Sequence, residues 1–220
     1  YQKGVLDEDS ILIKATSACG PVIYQSTKLK NFEDNAFICV PEANLVTRMV
    51  IENTDLEVSA HPTNQNHEFL VSSDMAFRPV NLNTGLDGSL YIVDMHRGII
   101  QHKAYMTTYL RNLLLANRLD TIVGMGRILK VVNIKESATS PINFTELNET
   151  ELLALLNHEN GKVRIMAQQM LMLKNEHKSF APLKALALQT TSPVSQIHAI
   201  NTLAGLEQLN YKLLHQIAVD

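Results

Sequence analysis

The stretch Asp94-Met95-His96-Arg97, with His102 close behind, sets a carboxylate, two imidazoles and a guanidinium near one another in the chain. These are ligand types for a metal ion or for an axial contact to a heme, although histidines standing singly beside strands are usually surface or hydrogen-bonded core residues. Asp74, Asp87 and Asp94 add hard oxygen donors of the kind calcium takes. Asp74 and Asp94 are the better metal candidates, because Asp87 before Gly88 is more simply a turn residue. Arg78, immediately before Pro79, is the most attractive cation for a functional role; the competing role is to pair with Asp94 or to cap backbone carbonyls. Two cysteines complete the reactive side chains. Cys19 in CGPVIYQST and Cys39 in NAFICVP lie in what look like neighbouring antiparallel strands joined by a polar turn, so they are disulfide candidates or, equally, two small buried hydrophobes.

The remaining chemistry is sparse. His158, His177, His198 and His215 lie on scattered faces and loops with no i, i+4 pair. No G-x-S-x-G, H-E-x-x-H or phosphate-cradling glycine loop occurs, which leaves hydrolase and nucleotide-binding readings without support. No residue can be singled out as a catalytic base. The chain has 220 residues, 45% of them apolar and 19% charged, with a net charge of −3. That is an ordinary globular balance, and without a basic excess no nucleic-acid partner is expected. No apolar run is long enough to span a bilayer, and the first residues, YQKGVLDEDS, lack the apolar centre of a signal peptide. The start without Met is expected of a processed form or of a piece of a longer protein.

The elements that must hold these residues change character part-way along. Ser10 to Lys14, Pro21 to Gln25, Ala36 to Val40, Leu45 to Ile51, Glu57 to Ala60 and Glu68 to Val71 read as short strands. A Leu86-Asp87-Gly88 turn then feeds the largely buried strand Ser89 to Asp94. AYMTTYLRNLLLANRL, residues 104 to 119, carries Met106, Leu110, Leu113 and Leu114 on one helical face, so a helix interrupts the strands before Arg127 to Val132, the natural hairpin partner of the 91–94 strand. Beyond residue 142 the apolar period becomes helical. Asn148-Glu149-Thr150-Glu151 is an N-terminal cap with acidic first-turn residues, and 163–171 aligns with 195–203 at an offset of 32 residues, small Ala167 matching Ala199. About two and a half helix pairs of this kind indicate an α-solenoid of the HEAT or armadillo type, with an open end that needs covering.

TSACGPVIYQS, NAFICVPEANLVTRMV, FRPVNLNTGLDGSLYIVDMHRGIIQHKAYMTTYLR and GRILKVV, in that order, resemble the last blades of the propeller of bacterial membrane-bound dehydrogenases related to soluble glucose/sorbosone dehydrogenases. LNETELLALLNHENGKVR and SPVSQIHAINTLAGLEQL resemble the HEAT-like region that follows it. The resemblance implies an α+β multidomain chain. Residues 1–134 would be the C-terminal blades of a β-propeller, with the helix at about 104–119 inserted; 135–147 would be a linker and 148–220 HEAT-like repeats. About 130 residues make only two to three blades. The expected whole is a secreted or periplasmic protein that supplies the remaining blades and, in many relatives, a cytochrome c domain. This chain has no C-x-x-C-H, so covalent heme is not expected in it. The resemblance also implies oxidation of a sugar or alcohol on pyrroloquinoline quinone with calcium, with Arg78, Arg97 and His96 as the cofactor-binding candidates near strand ends. None of them matches the quinone-binding pattern residue by residue, and the turn where those enzymes place an arginine is Pro41-Glu42-Ala43-Asn44. The alternative is a scaffold without catalysis that binds glycans or protein partners.

Overall fold

The computed structural model describes residues 17–54, 56–62, 67–135, 140, 142–174, 180–189 and 191–219. The strand expected at Ser10 to Lys14, and His177, lie outside the described residues. The molecule is a mixed α+β structure with two compact units. Of the described residues, the first unit holds those up to 24, 28–85 and 89–134; the second holds 25–27, 86–88 and the rest from 135 onward.

Two antiparallel sheets make up the first unit. In one, β1 (Cys19–Ile23), β2 (Ala36–Val40), β3 (Leu45–Asn53) and β4 (Val58–Pro62) pair in chain order, and the two-residue β5 (Leu70–Val71) also pairs with β3. The other contains β6 (Pro79–Thr84), β7 (Leu90–Asp94) and β8 (Arg127–Val131). The strand β6 was not expected from the sequence: VNLNT alternates apolar and amide side chains without a β-branched run. It forms because Leu82 fills the core opposite Ile92 while Asn81 and Asn83 face out. The core is Tyr24, Leu29, Phe37, Cys39, Val46, Leu82, Leu90 and Ile92, contributed by both sheets. Phe37 meets Phe69 edge-on at 4.7 Å, and the Tyr24 hydroxyl, inside this core, accepts the backbone N–H of Leu29 at 3.0 Å, so its polar end is satisfied. Gly20 is required where β1 crosses β6, since it has φ 54 and a Cβ there would fall 2.6 Å from the Asn81 Cα.

The helix expected over 104–119 is divided. A 3₁₀ turn covers Lys103–Tyr105, α1 runs Thr108–Ala116, and a second 3₁₀ turn covers Leu119–Thr121. Met106 is extended, and the Thr107 hydroxyl caps α1 by accepting from Leu110 N at 3.2 Å, so the helix restarts there. Arg118, with φ 54, breaks it at the other end.

In the second unit, α2 (Glu149–Leu155), α3 (Gly161–Lys174), α4 (Ala181–Ala187), α5 (Pro193–Gly205) and α6 (Tyr211–Val219) share one core. The stripe Val163, Ala167, Leu171 on α3 recurs as Ser195, Ala199, Leu203 on α5, every member nearly inaccessible to solvent. That i, i+4, i+8 spacing keeps each set on one helical face, and α3 packs against α5. The Asn148 side chain accepts from Glu151 N at 3.0 Å while the Glu151 carboxylate accepts from Asn148 N at 2.8 Å, a complete capping box on an exposed helix end. Asn148→Ala is expected to cost about 1 kcal/mol in urea unfolding, with secondary structure unchanged by circular dichroism.

Candidate functional site

The candidate residues converge where β6, β7 and β8 end together. Pro79 lies opposite Asp94 and Asp94 opposite Arg127 in the two ladders, so the register alone brings the starts of β6 and β8 to one carboxylate. Asp94 is fully buried. Its Oδ1 accepts the backbone N–H of Arg78 at 2.7 Å and of His96 at 2.8 Å, and its Oδ2 accepts from Arg127 Nε at 2.8 Å. Burial by itself would raise this carboxyl's pKa, but the two backbone N–H groups and the Arg127 guanidinium together outweigh it and hold the pKa below the ordinary aspartate value.

Asp74 completes the group from the loop before β6. Its Oδ1 accepts from Ala76 N at 2.9 Å, and its Oδ2 lies 3.6 Å from Arg127 Nη2 and 3.7 Å from His96 Nδ1. His96 sits between the two carboxylates, with Nδ1 also 3.6 Å from Asp94 Oδ2, too far for a hydrogen bond; among the described residues this buried nitrogen has no hydrogen-bond partner. The His96 backbone has φ 42, a left-handed conformation uncommon for a side chain of this size and imposed by the turn that returns its N–H to Asp94. The metal candidates Asp74 and Asp94 are thus brought together, and the positive charge shared between them is that of Arg127. Among the described residues no group of three or more His, Cys, Asp or Glu side chains is placed to hold a metal ion. Asp87 occupies the β6–β7 turn beside Gly88, whose φ is 79.

Arg78 is buried, and its guanidinium is directed at backbone. Nη1 donates to Pro41 O at 2.7 Å and Glu42 O at 3.4 Å, Nη2 to Gly98 O at 3.2 Å and Nε to Arg97 O at 3.2 Å. It therefore ties the 41–42 turn to the segment that follows β7. Carbonyl capping, one of the roles open to it in the sequence, is what these bonds perform. Asn44, left-handed at φ 57, adds a bond from Nδ2 to Phe77 O at 2.5 Å.

Beyond this clamp, residues 95–102 and 119–123 enclose an open pocket of about 500 Å³. Ile99, Ile100, Leu119 and Ile122 give it aliphatic walls, and Arg97, His102 and Asp120 bring charge or hydrogen-bonding capacity. Gly98 is packed so closely on Leu119 that a Cβ would overlap the Leu119 carbonyl, which fixes the two sides of the pocket against each other. His102 Nδ1 accepts Ala104 N at 3.3 Å, leaving Nε2 as the ring's other hydrogen-bonding atom. Arg97 and His102 share this pocket, whereas His96 belongs to the Asp94 cluster. Sequence reasoning missed Arg127 as a site residue, along with Gly98 and the 119–123 wall. Arg127 was reachable, since pairing the 127–132 strand with the 91–94 strand sets it opposite Asp94.

Cys19 and Cys39 are Cα partners in the β1–β2 ladder, and both are free thiols. Burial, and then the neighbouring Cys19, push the Cys39 thiol up to about 12. In the helical unit His198 Nδ1 hydrogen-bonds Gln168 Oε1 at 2.7 Å, and Arg164 Nε lies 3.4 Å from its Nε2. Burial first, then Arg164, lowers its pKa, as for a packed structural histidine.

Residues 6–135 match the family described as Domain of unknown function (DUF7133). The chain belongs to that family. The Asp94 cluster, the Arg78 clamp, the pocket and both cysteines all fall inside the DUF7133 region. No curated protein and no solved structure matches the chain.

Two outcomes follow from this geometry. Arg78→Ala is expected to destabilise the protein by roughly 2–4 kcal/mol and to speed hydrogen exchange across residues 95–102; Arg78→Lys should recover little, because an ammonium cannot reach carbonyls of both segments at once. Because the native Asp94 pKa is depressed, its contribution is present above the ordinary carboxylate range and is lost as pH falls through the native value. Asp94→Asn should cost about 2–4 kcal/mol at neutral pH, and its stability difference from the wild type should shrink in urea titrations carried into the acid range.

Proposed function

We propose that this chain is the closing part of a larger secreted or periplasmic protein, a partial β-propeller followed by a HEAT/armadillo-like α-solenoid, and that its β unit is a non-catalytic binding scaffold. The resemblance of FRPVNLNTGLDGSLYIVDMHRGIIQHKAYMTTYLR to propeller-type dehydrogenases supports the architecture. One observation favours scaffold over redox mouth: the guanidinium of Arg78, a cofactor-binding candidate in the sequence, donates to backbone carbonyls of residues 41, 42, 97 and 98. A cation committed in this way shapes a loop. The pocket behind that loop has aliphatic walls with a few polar groups, a lining that takes an apolar anchor side chain from a protein partner more readily than it takes a sugar ring.

The dehydrogenase reading retains one specific support. Arg97 carries a guanidinium with no hydrogen bond or ion pair to the described residues and shares the pocket with His102, a cation and an imidazole of the types that quinone-dependent hydroxyl oxidation uses. No transmembrane helix enters either reading, since among the described residues no helix is long and apolar enough to cross a membrane.

Titrating the intact protein with pyrroloquinoline quinone and calcium, then adding glucose, separates the two readings. The scaffold reading expects no saturable change in the quinone spectrum and no sugar-dependent dye reduction. A stoichiometric quinone complex whose absorption changes on adding sugar would overturn it, and loss of that complex in Arg97→Ala would place the quinone in this pocket.

A further inference from the structure

We infer that Cys19 and Cys39 form a cross-strand disulfide under oxidising conditions, closing the outer strand β1 onto β2. The inference stands on the ladder geometry and does not depend on what the β unit binds. The two residues are direct register partners on adjacent antiparallel strands, so their side chains leave the same face of the sheet. Directly opposed Cβ atoms lie about 4.5–5.5 Å apart, and a disulfide needs about 3.5–4.5 Å, so closure takes a movement of roughly an ångström.

The ladder can supply that movement at this point. Its register is interrupted between Cys19 and Val22, and Gly20 at φ 54 breaks the extended backbone beside Cys19. The start of β1 can therefore shift toward β2 without moving the pairs Val22↔Phe37 and Ile23↔Ala36. Among the described residues β1 is also an edge strand of its sheet, bonded to β2 alone. Its partner is firmly placed, because Cys39 is fully buried among Phe37, Val46 and Ile92.

The difference in exposure orders the chemistry. Cys19 is partly exposed and meets the oxidant first. With oxidised glutathione, the Cys19 thiolate attacks one sulfur of the reagent, its S–S bond breaks and one glutathione thiol departs, leaving a mixed disulfide on Cys19. Cys39 then loses its proton to solvent base and attacks the Cys19 sulfur, expelling the second glutathione. Two protein thiols are oxidised, and one glutathione disulfide is reduced to two thiols. The second step is the slow one, because the buried Cys39 thiol gives up its proton reluctantly, so ring closure should accelerate as pH is raised.

The test uses the reduced, folded chain incubated with a glutathione redox couple, alkylated, and mapped as peptides by mass spectrometry without reduction. The expected product is an intramolecular Cys19–Cys39 peptide pair, the whole protein lighter by two hydrogens, with a melting temperature higher by roughly 5–10 °C than the reduced form. Cys19→Ser, at the more exposed position, should fold and show no rise in melting temperature in the same buffer. Cys39→Ser should hold glutathione on Cys19 as a stable adduct. Persistent glutathione on wild-type Cys19, dimers linked through Cys19, or both thiols still alkylated after folding in an oxidising couple would each overturn the inference.

Discussion

The second sheet depends on one buried carboxylate. Asp94 is the last residue of β7, and its two oxygens are shared among the backbone entering β6, the backbone leaving β7 and the first side chain of β8. A buried carboxylate is costly unless it is matched by donors, and here each donor comes from a different segment. The arrangement therefore works as a test of assembly, because Asp94 is satisfied only when all three strand ends are in register. It also dictates the left-handed turn at His96 and hence the direction in which residues 97–102 leave the sheet. Arg78 extends the same logic one step outward. Its backbone N–H serves Asp94, while its guanidinium binds carbonyls of the 41–42 turn and the 97–98 segment, so one residue couples the carboxylate to both neighbouring loops.

This ordering explains why chemistry-bearing residues gather there. Strand ends concentrate unpaired carbonyls and N–H groups, and Asp, His and Arg are the side chains that satisfy them. The same types at the same positions serve catalysis. The difference lies in where their hydrogen-bonding capacity goes. Arg78 donates to backbone carbonyls and Asp94 accepts from backbone and Arg127, whereas Arg97 lines an open pocket. His96 is the intermediate case, a partly buried imidazole between two carboxylates whose Nδ1 has no hydrogen-bond partner among the described residues.

What could be read from the sequence follows the same division. β-branched and aromatic runs announced β2, β3, β7 and β8, and the 3.6-residue period with the Asn148 cap announced the later helices, because these signals are local and repeated. β6 escaped because its contribution to the core is Leu82 and little else, with its place set by pairing to β7. The 104–119 segment looked like one helix because its apolar spacing is continuous; the capping hydroxyl of Thr107 and the left-handed Arg118 divide it, and periodicity is blind to both. At the site, residue types were legible and roles were not. That Asp74, Asp94 and Arg78 mattered could be seen from their places beside turns and strand ends. That Arg127 supplies the positive charge between the two aspartates follows only from strand register, which brings together residues more than thirty positions apart.

The two cysteines stand between these cases: that their strands are neighbours was legible, and that the two residues face each other directly was not. Cys19 and Cys39 sit in two short strands separated by one polar turn, and in a hairpin the register follows from where the apolar residues must point. Phe37 and Cys39 have to face the core, which puts Ile38 on the opposite face and sets the parity of every partner on β1. Once Ile23 pairs with Ala36 and Val22 with Phe37, a regular ladder would carry the pairing outward one residue at a time and set Gly20 against Cys39. The irregularity after Cys19 shifts that count by one, and Cys19 becomes the partner instead. A glycine in the left-handed region is what lets the strand absorb the extra residue, so Gly20 does two things at once: it lets β1 cross closely over β6, and it delivers one thiol opposite the other.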